Sequence, residues 1–161
     1  MNLSLDKIPD DIHQKWALAI GKFIIAFGTI ESTITEVIRL SALPAQIQVL
    51  TNLNFAKKAE LVVAVLQDWN PFDTQSIKGA FDKLSIITKR RNIVAHNGFS
   101  IAFFESLDGG EDFYEVGMAK PHNSRGVWLQ IEDLQRDTEA LKLIDGNLIG
   151  WIQKDRVKNL F

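Results

Sequence analysis

The sequence predicts an all-α fold, a helical bundle of four to five helices with a small β-hairpin inserted before the last helix. Apolar residues recur every three or four positions over most of the chain, which is the period of a helix face. Apolar and polar residues alternate instead from Phe99 to Ile131, and the helical period returns at Glu132. With 161 residues and a hydrophobic fraction of 46%, the chain is long enough for one domain with its own core.

The first predicted helix covers about residues 10–42. It begins at Pro9-Asp10-Asp11, because proline fits the first helical turn and acidic side chains favour its positive end. Gly21 and Gly28 are seven residues apart on one face, where they allow a second helix to approach closely or the helix to bend slightly. The apolar seam that suits helix packing consists of Trp16, Ile20, Phe23, Phe27, Ile30, Ile34 and Val37.

Three further helices follow before the alternating region. Pro44 ends the first helix and starts a short second one. Asn54 is a suitable N-cap for a third helix, which Asn70-Pro71 ends. A long fourth helix runs from residue 73 or 74 to about His96. Its apolar stripe consists of Ile77, Phe81, Leu84, Ile87, Arg91 and Val94.

The alternating region is predicted to form a hairpin or small sheet. Its strands are expected at residues 99–103, 113–118 and 127–131, with turns at Asp108-Gly109-Gly110 and Pro121–Gly126. A closing helix is predicted over residues 132–155 from the spacing of Leu134, Leu141, Ile144, Leu148 and Trp151 or Ile152. We therefore expect one domain over residues 1–161, with core helices at 10–98, a β-rich insertion at 99–131 and the closing helix at 132–155.

Composition excludes several classes of protein. The chain has no cysteine, which excludes a disulfide framework, a thiolate nucleophile and cysteine-ligated zinc. Residues 1–11 have no signal-peptide pattern, and the apolar run from Trp16 to Ile30 is amphipathic and interrupted by Lys22, so we expect a cytoplasmic protein without a membrane span. The net charge of −2 means that any contact with RNA depends on a local basic patch.

The densest polar chemistry lies at the end of the fourth helix, from Lys89 to Phe99. Arg91 falls on the apolar stripe, whereas Lys89 and Arg90 are expected to turn away from it. Asn92 and His96 are four residues apart and therefore lie on one side of the helix, just before Gly98, a natural helix stop. A buried guanidinium needs partners, so one interpretation is that Arg91 only holds two helices together.

The string Arg91-Asn92-x-x-Ala95-His96 resembles the R-x4-6-H motif of HEPN domains, in the form where asparagine follows arginine. The string from Phe27 to Glu31 also resembles the first-helix pattern of a bacterial and phage branch of that group. The resemblance implies a small up-down helical bundle, usually a homodimer, that often acts as a metal-independent ribonuclease in toxin–antitoxin or phage-defence systems. The tyrosine that HEPN partners of minimal nucleotidyltransferases carry two residues after the histidine is replaced here by Gly98, which argues against an adenylylated toxin.

The resemblance also implies roles for individual residues. Arg91 would bind phosphate, His96 would transfer protons, and Asn92 would orient His96 or the ribose. Glu31 lies at the edge of the apolar seam of the first helix and would pair with the side chain of Arg91 or His96. A local RNA-binding patch is predicted from the basic side chains of Lys57, Lys58, Lys89 and Arg90, although ordinary solvated side chains are the simpler explanation of them.

The sequence leaves three functions open. The first is a HEPN-like endoribonuclease that works as a homodimer on RNA, with a possible antitoxin or regulatory protein as a further partner. The second is a non-catalytic RNA-binding, nucleotide-binding or regulatory dimerisation module on the same fold, and the third is a purely structural dimer. No cofactor is predicted, and no metal site is expected because His13, His96 and His122 lack ligand spacing.

Overall fold

The computed structural model describes residues 10–105, 113–120 and 127–158. Its elements are α1 (Asp10–Ser41), α2 (Pro44–Thr51), α3 (Phe55–Trp69), a short 3-10 turn (Pro71–Asp73), α4 (Thr74–His96), β1 (Gly98–Glu105), β2 (Phe113–Lys120), β3 (Val127–Leu129) and α5 (Ile131–Lys158). The predicted fold class is confirmed: the described chain is mostly helical, with a small β insertion before the last helix.

The β insertion is a three-stranded antiparallel sheet in the order β1-β2-β3, so the three predicted strands form a small sheet. β1 pairs with β2 from Gly98 opposite Lys120 to Glu105 opposite Phe113. β3 is shorter than predicted because Ile131 already belongs to α5. The turns predicted at 108–110 and 121–126 lie outside the described residues, as do residues 1–9 and His122.

Within the described residues the chain forms two compact units. The first belongs to the ranges Met1–Ile25 and Lys89–Glu139, and the second to Ala26–Thr88 and Ala140–Phe161. The helices α1, α4 and α5 each contribute residues to both units. The prediction of one domain stays a prediction.

The first unit packs its sheet around one aromatic contact. The rings of Trp16 and Phe99 lie 5.3 Å apart between centroids and are tilted by 47°. Gly117 of β2 lies directly beneath both rings, where a Cβ atom would come within 2.4 Å of Phe99 Cζ. The other buried apolar side chains of this unit belong to Ala19, Phe23, Val94, Ala119, Leu129, Ile131 and Leu134.

The second unit contains most of the predicted helical seams. Phe27 on α1 packs against Phe55 on α3, with ring centroids 4.8 Å apart. Asn70 is buried at the end of α3, and its Nδ2 donates to the carbonyl of Trp151 on α5 at 3.2 Å. The largest of the other fully buried side chains here are those of Ile30, Ile34, Ile38, Leu66, Ile77, Leu84, Ile87 and Leu141. The predicted periodicity therefore identified the faces that pack inward.

Helix α1 is long and apolar enough to cross a membrane, as judged by its length and composition. Its inner face, which includes Trp16, Phe23 and Phe27, is nevertheless part of the protein core. A core helix of a soluble protein meets the same criterion, so this feature alone does not indicate a membrane span.

Candidate functional site

The motif residues occupy the last two turns of α4, all within the first unit. The helix ends at His96, as predicted. Asn97 ends it by donating from its Nδ2 to the carbonyl of Ile93 at 2.7 Å, which satisfies a carbonyl that lacks a helical partner. Gly98 then begins β1 opposite Lys120. The change from helix to strand fixes where the motif stops.

Arg91, Asn92 and His96 form a small polar group at this end of α4. The Nη1 atom of Arg91 donates to Oδ1 of Asn92 at 3.1 Å. Asn92 and His96 are exposed and one turn apart on the same side of the helix, whereas Arg91 is half-buried. A ligand in solvent can therefore reach the amide and the imidazole of the motif.

The predicted orientation of Arg90 was wrong. Its guanidinium does not turn into solvent; it forms an ion pair with Asp137 on α5, and the two side chains are only 23% and 9% exposed. Arg91, the cation predicted to face inward, is half-buried, and its Nη1 atom contacts exposed Asn92. Arg90 therefore fastens the motif turn of α4 to the first turns of α5.

Asp137 is a residue that the sequence interpretation missed, although the sequence contained a signal for it. Asp137 comes three residues after Leu134 and four before Leu141, so it lies on the apolar seam of the closing helix. A carboxylate in that position needs a cation to replace its lost hydration.

We expect Asp137→Ala to lower the free energy of unfolding by about 2 kcal/mol, less than for a fully buried pair because Arg90 is partly exposed. The loss arises because the Arg90 guanidinium stays near the core without its counter-charge. Urea denaturation of the single variants and of Arg90→Met/Asp137→Ala measures the coupling. If Asp137→Ala were as stable as the wild type, the pair would not hold α4 to α5.

The other predicted basic residues lie in different settings. Lys89 is exposed, in agreement with the prediction. Lys57 is exposed and its Nζ lies 3.0 Å from Glu60 Oε2, but Lys58 is only 9% exposed. Lys58 lies on the α3 seam, between Phe55 and Val62, which explains its burial. Their RNA-binding role stays a prediction, and the placement of Lys57 and Lys89 suits it better than that of Lys58.

Glu31 is half-buried on α1, as its position at the edge of the apolar seam predicted. Its pairing with Arg91 or His96 stays a prediction. His13 is exposed on the first turn of α1. Among residues 10–105, 113–120 and 127–158 there is no group of three histidine, aspartate or glutamate residues suited to hold a metal ion.

Comparison with known proteins adds no assignment: no family model matches the chain, and neither the curated proteins nor the solved structures give a match. The chemistry of the site must therefore be argued from its own residues. These residues offer an accessible imidazole, an amide one turn away and a guanidinium bonded to that amide. Such a set can bind a phosphate and move a proton beside it.

Proposed function

We propose that the chain is a HEPN-like, metal-independent endoribonuclease whose catalytic residues are Arg91, Asn92 and His96. The observation that carries the proposal is the exposure of Asn92 and His96 at the end of α4, beside the guanidinium of Arg91. A motif that served only to hold helices together would be sealed in the core. Here Arg90 makes the ion pair between α4 and α5, whereas Asn92 and His96 stay exposed and Arg91 is half-buried.

The reaction is attack by a ribose 2′-OH on the adjacent phosphate. The imidazole of one His96 takes the proton from the 2′-OH as the O2′–P bond forms. The P–O5′ bond breaks, and the leaving oxygen takes a proton from a second, protonated imidazole. Arg91 stabilises the charge on the phosphate through its paired N–H donors, and Asn92 keeps that guanidinium oriented. The products are a 2′,3′-cyclic phosphate and a 5′-hydroxyl.

The acid and the base require two histidines, and each chain supplies one in this motif. A symmetric homodimer would bring two copies of His96 to one groove. The proposal places the protein in the cytoplasm, as a toxin or phage-defence effector whose activity an antitoxin or regulatory protein holds in check. Lys89, which is exposed on the same end of α4 as the motif, would guide the RNA backbone toward the groove.

The proposal is tested by incubating the purified protein with structured and unstructured RNA in EDTA. We expect cleavage that leaves 2′,3′-cyclic phosphate ends. The same RNA with a 2′-deoxyribose at the main cleavage site should stay intact there, because the nucleophile is missing. Products with 3′-hydroxyl ends would contradict the mechanism.

Replacement of Arg91 by lysine keeps the charge but removes the planar fork of donors. We expect Arg91→Lys to lower kcat/KM by about 10- to 100-fold, since lysine cannot hold two phosphate oxygens at once. The matched control is Lys83→Arg, at an exposed position of the same helix outside the motif, which should change kcat/KM by less than about twofold. Equal effects of the two substitutions would contradict a specific role for Arg91.

The alternative is a non-catalytic module on the same fold that binds RNA or a nucleotide, or acts as a regulatory dimer. It is favoured by the scarcity of available positive charge: Arg90 is paired with Asp137, Lys58 is buried and the net charge is −2. It predicts that RNA binds without being cut and that Arg91→Ala weakens binding.

A further inference from the structure

The proposed ribonuclease needs a second copy of the chain, but its chemistry does not say which surface the copies share. We propose that two copies pair through the outer face of α1, with the two helices antiparallel. The inference comes from α1 alone and does not need the ribonuclease activity to be correct. The partner of this face is the same face of α1 in a second copy of the chain.

The outer face of α1 carries an apolar stripe opposite the core. Leu18 and Ile25 are 58% and 72% exposed, values that are high for large aliphatic side chains on a helix. Only 28% of the 18-residue apolar stretch of α1 is buried. Because α1 is one continuous helix of 32 residues, positions that are three, four and seven apart lie along one line of its surface. Exposed aliphatic residues repeated along such a line are typical of a helix–helix contact.

Along this stripe, large aliphatic side chains alternate with glycines, which leave room for the large side chains of a second copy. Gly21 and Gly28 alternate with Leu18 and Ile25, and the space beside both glycines is open, since an added Cβ atom would meet nothing within 4 Å. With a two-fold axis between Ile25 and Gly28, the Ile25 side chain of one copy lies over Gly28 of the other. The glycines let the two helices approach closely along this line.

The charges beside the stripe select a second copy in the antiparallel direction. Reading along α1, the exposed flank carries Lys15 and Lys22 in the N-terminal half and Glu36 in the C-terminal half. Lys15 and Glu36 are three heptads apart and so lie on the same flank of α1. When two copies of α1 pack antiparallel, this flank of one helix lies beside the same flank of the other. Each Lys15 then faces Glu36 of the other copy. At the ends, Asp11 comes near Arg39 of the other copy.

The same charges argue against a membrane as the occupant. A helix that lies on a membrane surface usually carries cationic side chains along its polar face. The flanks of α1 alternate in sign instead, with Asp10 and Asp11 at one end and Glu36 beside Arg39 near the other. The acidic side chains of α1 would be repelled by a uniformly acidic membrane surface. In an antiparallel pair of α1 helices, acidic side chains of one copy lie opposite basic side chains of the other.

The decisive experiment reverses the charges of Lys15 and Glu36, one at a time and together. The oligomeric state of each full-length variant is measured by sedimentation velocity. Wild type is expected at twice the 18.2 kDa mass of one chain. Lys15→Glu or Glu36→Lys alone should raise the dimer Kd about tenfold, because each places like charges opposite each other twice in the dimer. The double variant should return to within about threefold of the wild-type Kd. The matched control is Lys83→Glu on the exposed surface of α4, which should leave the Kd unchanged.

A second variant separates loss of the dimer from loss of folding. Gly28→Leu should raise the dimer Kd more than tenfold, because the new side chain occupies the space that Ile25 of the other copy needs. Helicity by circular dichroism should stay unchanged, since leucine is the better helix former and the site is open within the chain. Gly79→Leu, at an equally open and exposed site on α4, is the matched control and should leave the dimer intact.

Three results would overturn the inference. A wild-type protein that is monomeric at 100-fold the concentration used for RNA cleavage has no such interface. A double reversal that stays as weak as the single ones shows that Lys15 and Glu36 do not face each other. Co-sedimentation of a monomeric wild type with phosphatidylserine vesicles assigns the face to a membrane. A dimer without RNA cleavage would contradict only the proposed ribonuclease activity. RNA cleavage by a chain that forms no dimer through α1 would contradict only the proposed dimer interface.

Discussion

His96→Ala is expected to lower the rate of RNA cleavage by a factor of about 10²–10⁴, the usual contribution of a positioned acid or base. In a dimer the substitution removes both histidines at once, so the acid and the base are lost together. His96 is exposed at the end of α4, so its truncation leaves no cavity in the core. The loss should therefore appear in the rate and not in the free energy of unfolding.

The matched control for this prediction is His13→Ala. His13 is also exposed and lies on a helix end, the N-terminal turn of α1, but it is outside the motif. Initial cleavage rates in EDTA and thermal unfolding should be measured for both variants. A rate that falls equally in both, or that persists in His96→Ala at the wild-type level, would assign the activity to another residue or to a contaminating nuclease. Growth arrest on expression, if wild type causes it, should also disappear with His96→Ala.

Gly117→Ala is expected to be the most destabilising small substitution in the sheet, with a loss of about 3 kcal/mol in the free energy of unfolding. The new Cβ atom would stand 2.4 Å from Phe99 Cζ and 2.7 Å from two atoms of the Trp16 ring. Neither ring can simply rotate away, because each packs against the other and Trp16 is only 1% exposed. β2 is the central strand, paired with Ile101 on one side and Leu129 on the other, so its backbone has little room to shift.

The same substitution at Gly79 should have the opposite sign. Gly79 is exposed on α4, and an added Cβ atom would meet nothing within 4 Å. Alanine there should raise the free energy of unfolding by about 0.5–1 kcal/mol, the usual gain of alanine over glycine inside a helix. Urea denaturation of both variants gives the two values. If Gly117→Ala were neutral, the aromatic contact would have to be looser than the structure shows.

Most of the secondary structure could be predicted because it depends on short-range patterns. The seam from Trp16 to Val37 predicted a helix over residues 10–42, and α1 covers Asp10–Ser41. Asn54 was predicted to cap the next helix, and its Oδ1 accepts a hydrogen bond from the backbone N–H of Lys57 at 3.0 Å. Alternation predicted all three strands, and the error was in the end of β3, where Ile131 belongs to a helix. Each of these features involves residues only a few positions apart.

The contacts of the candidate site could not be predicted in the same way. Arg90 and Arg91 are neighbours, and the apolar stripe of α4 indicated that Arg91 would face inward. Arg90 makes the ion pair instead, with Asp137, which lies 47 positions away in the sequence. Periodicity gives the angle of a side chain around its own helix, but a long cation such as arginine reaches whichever carboxylate the neighbouring helix offers.

The sequence by itself determined where the helices begin and end, which faces are apolar, and that Arg91, Asn92 and His96 stand at the last turns of α4. These properties follow from local propensity and spacing. Only the tertiary structure decided that Arg90 is committed to Asp137, that Lys58 is buried and that Gly117 must lack a side chain. Those outcomes depend on which residues of distant segments meet. The sequence pattern of a single segment does not encode its neighbours.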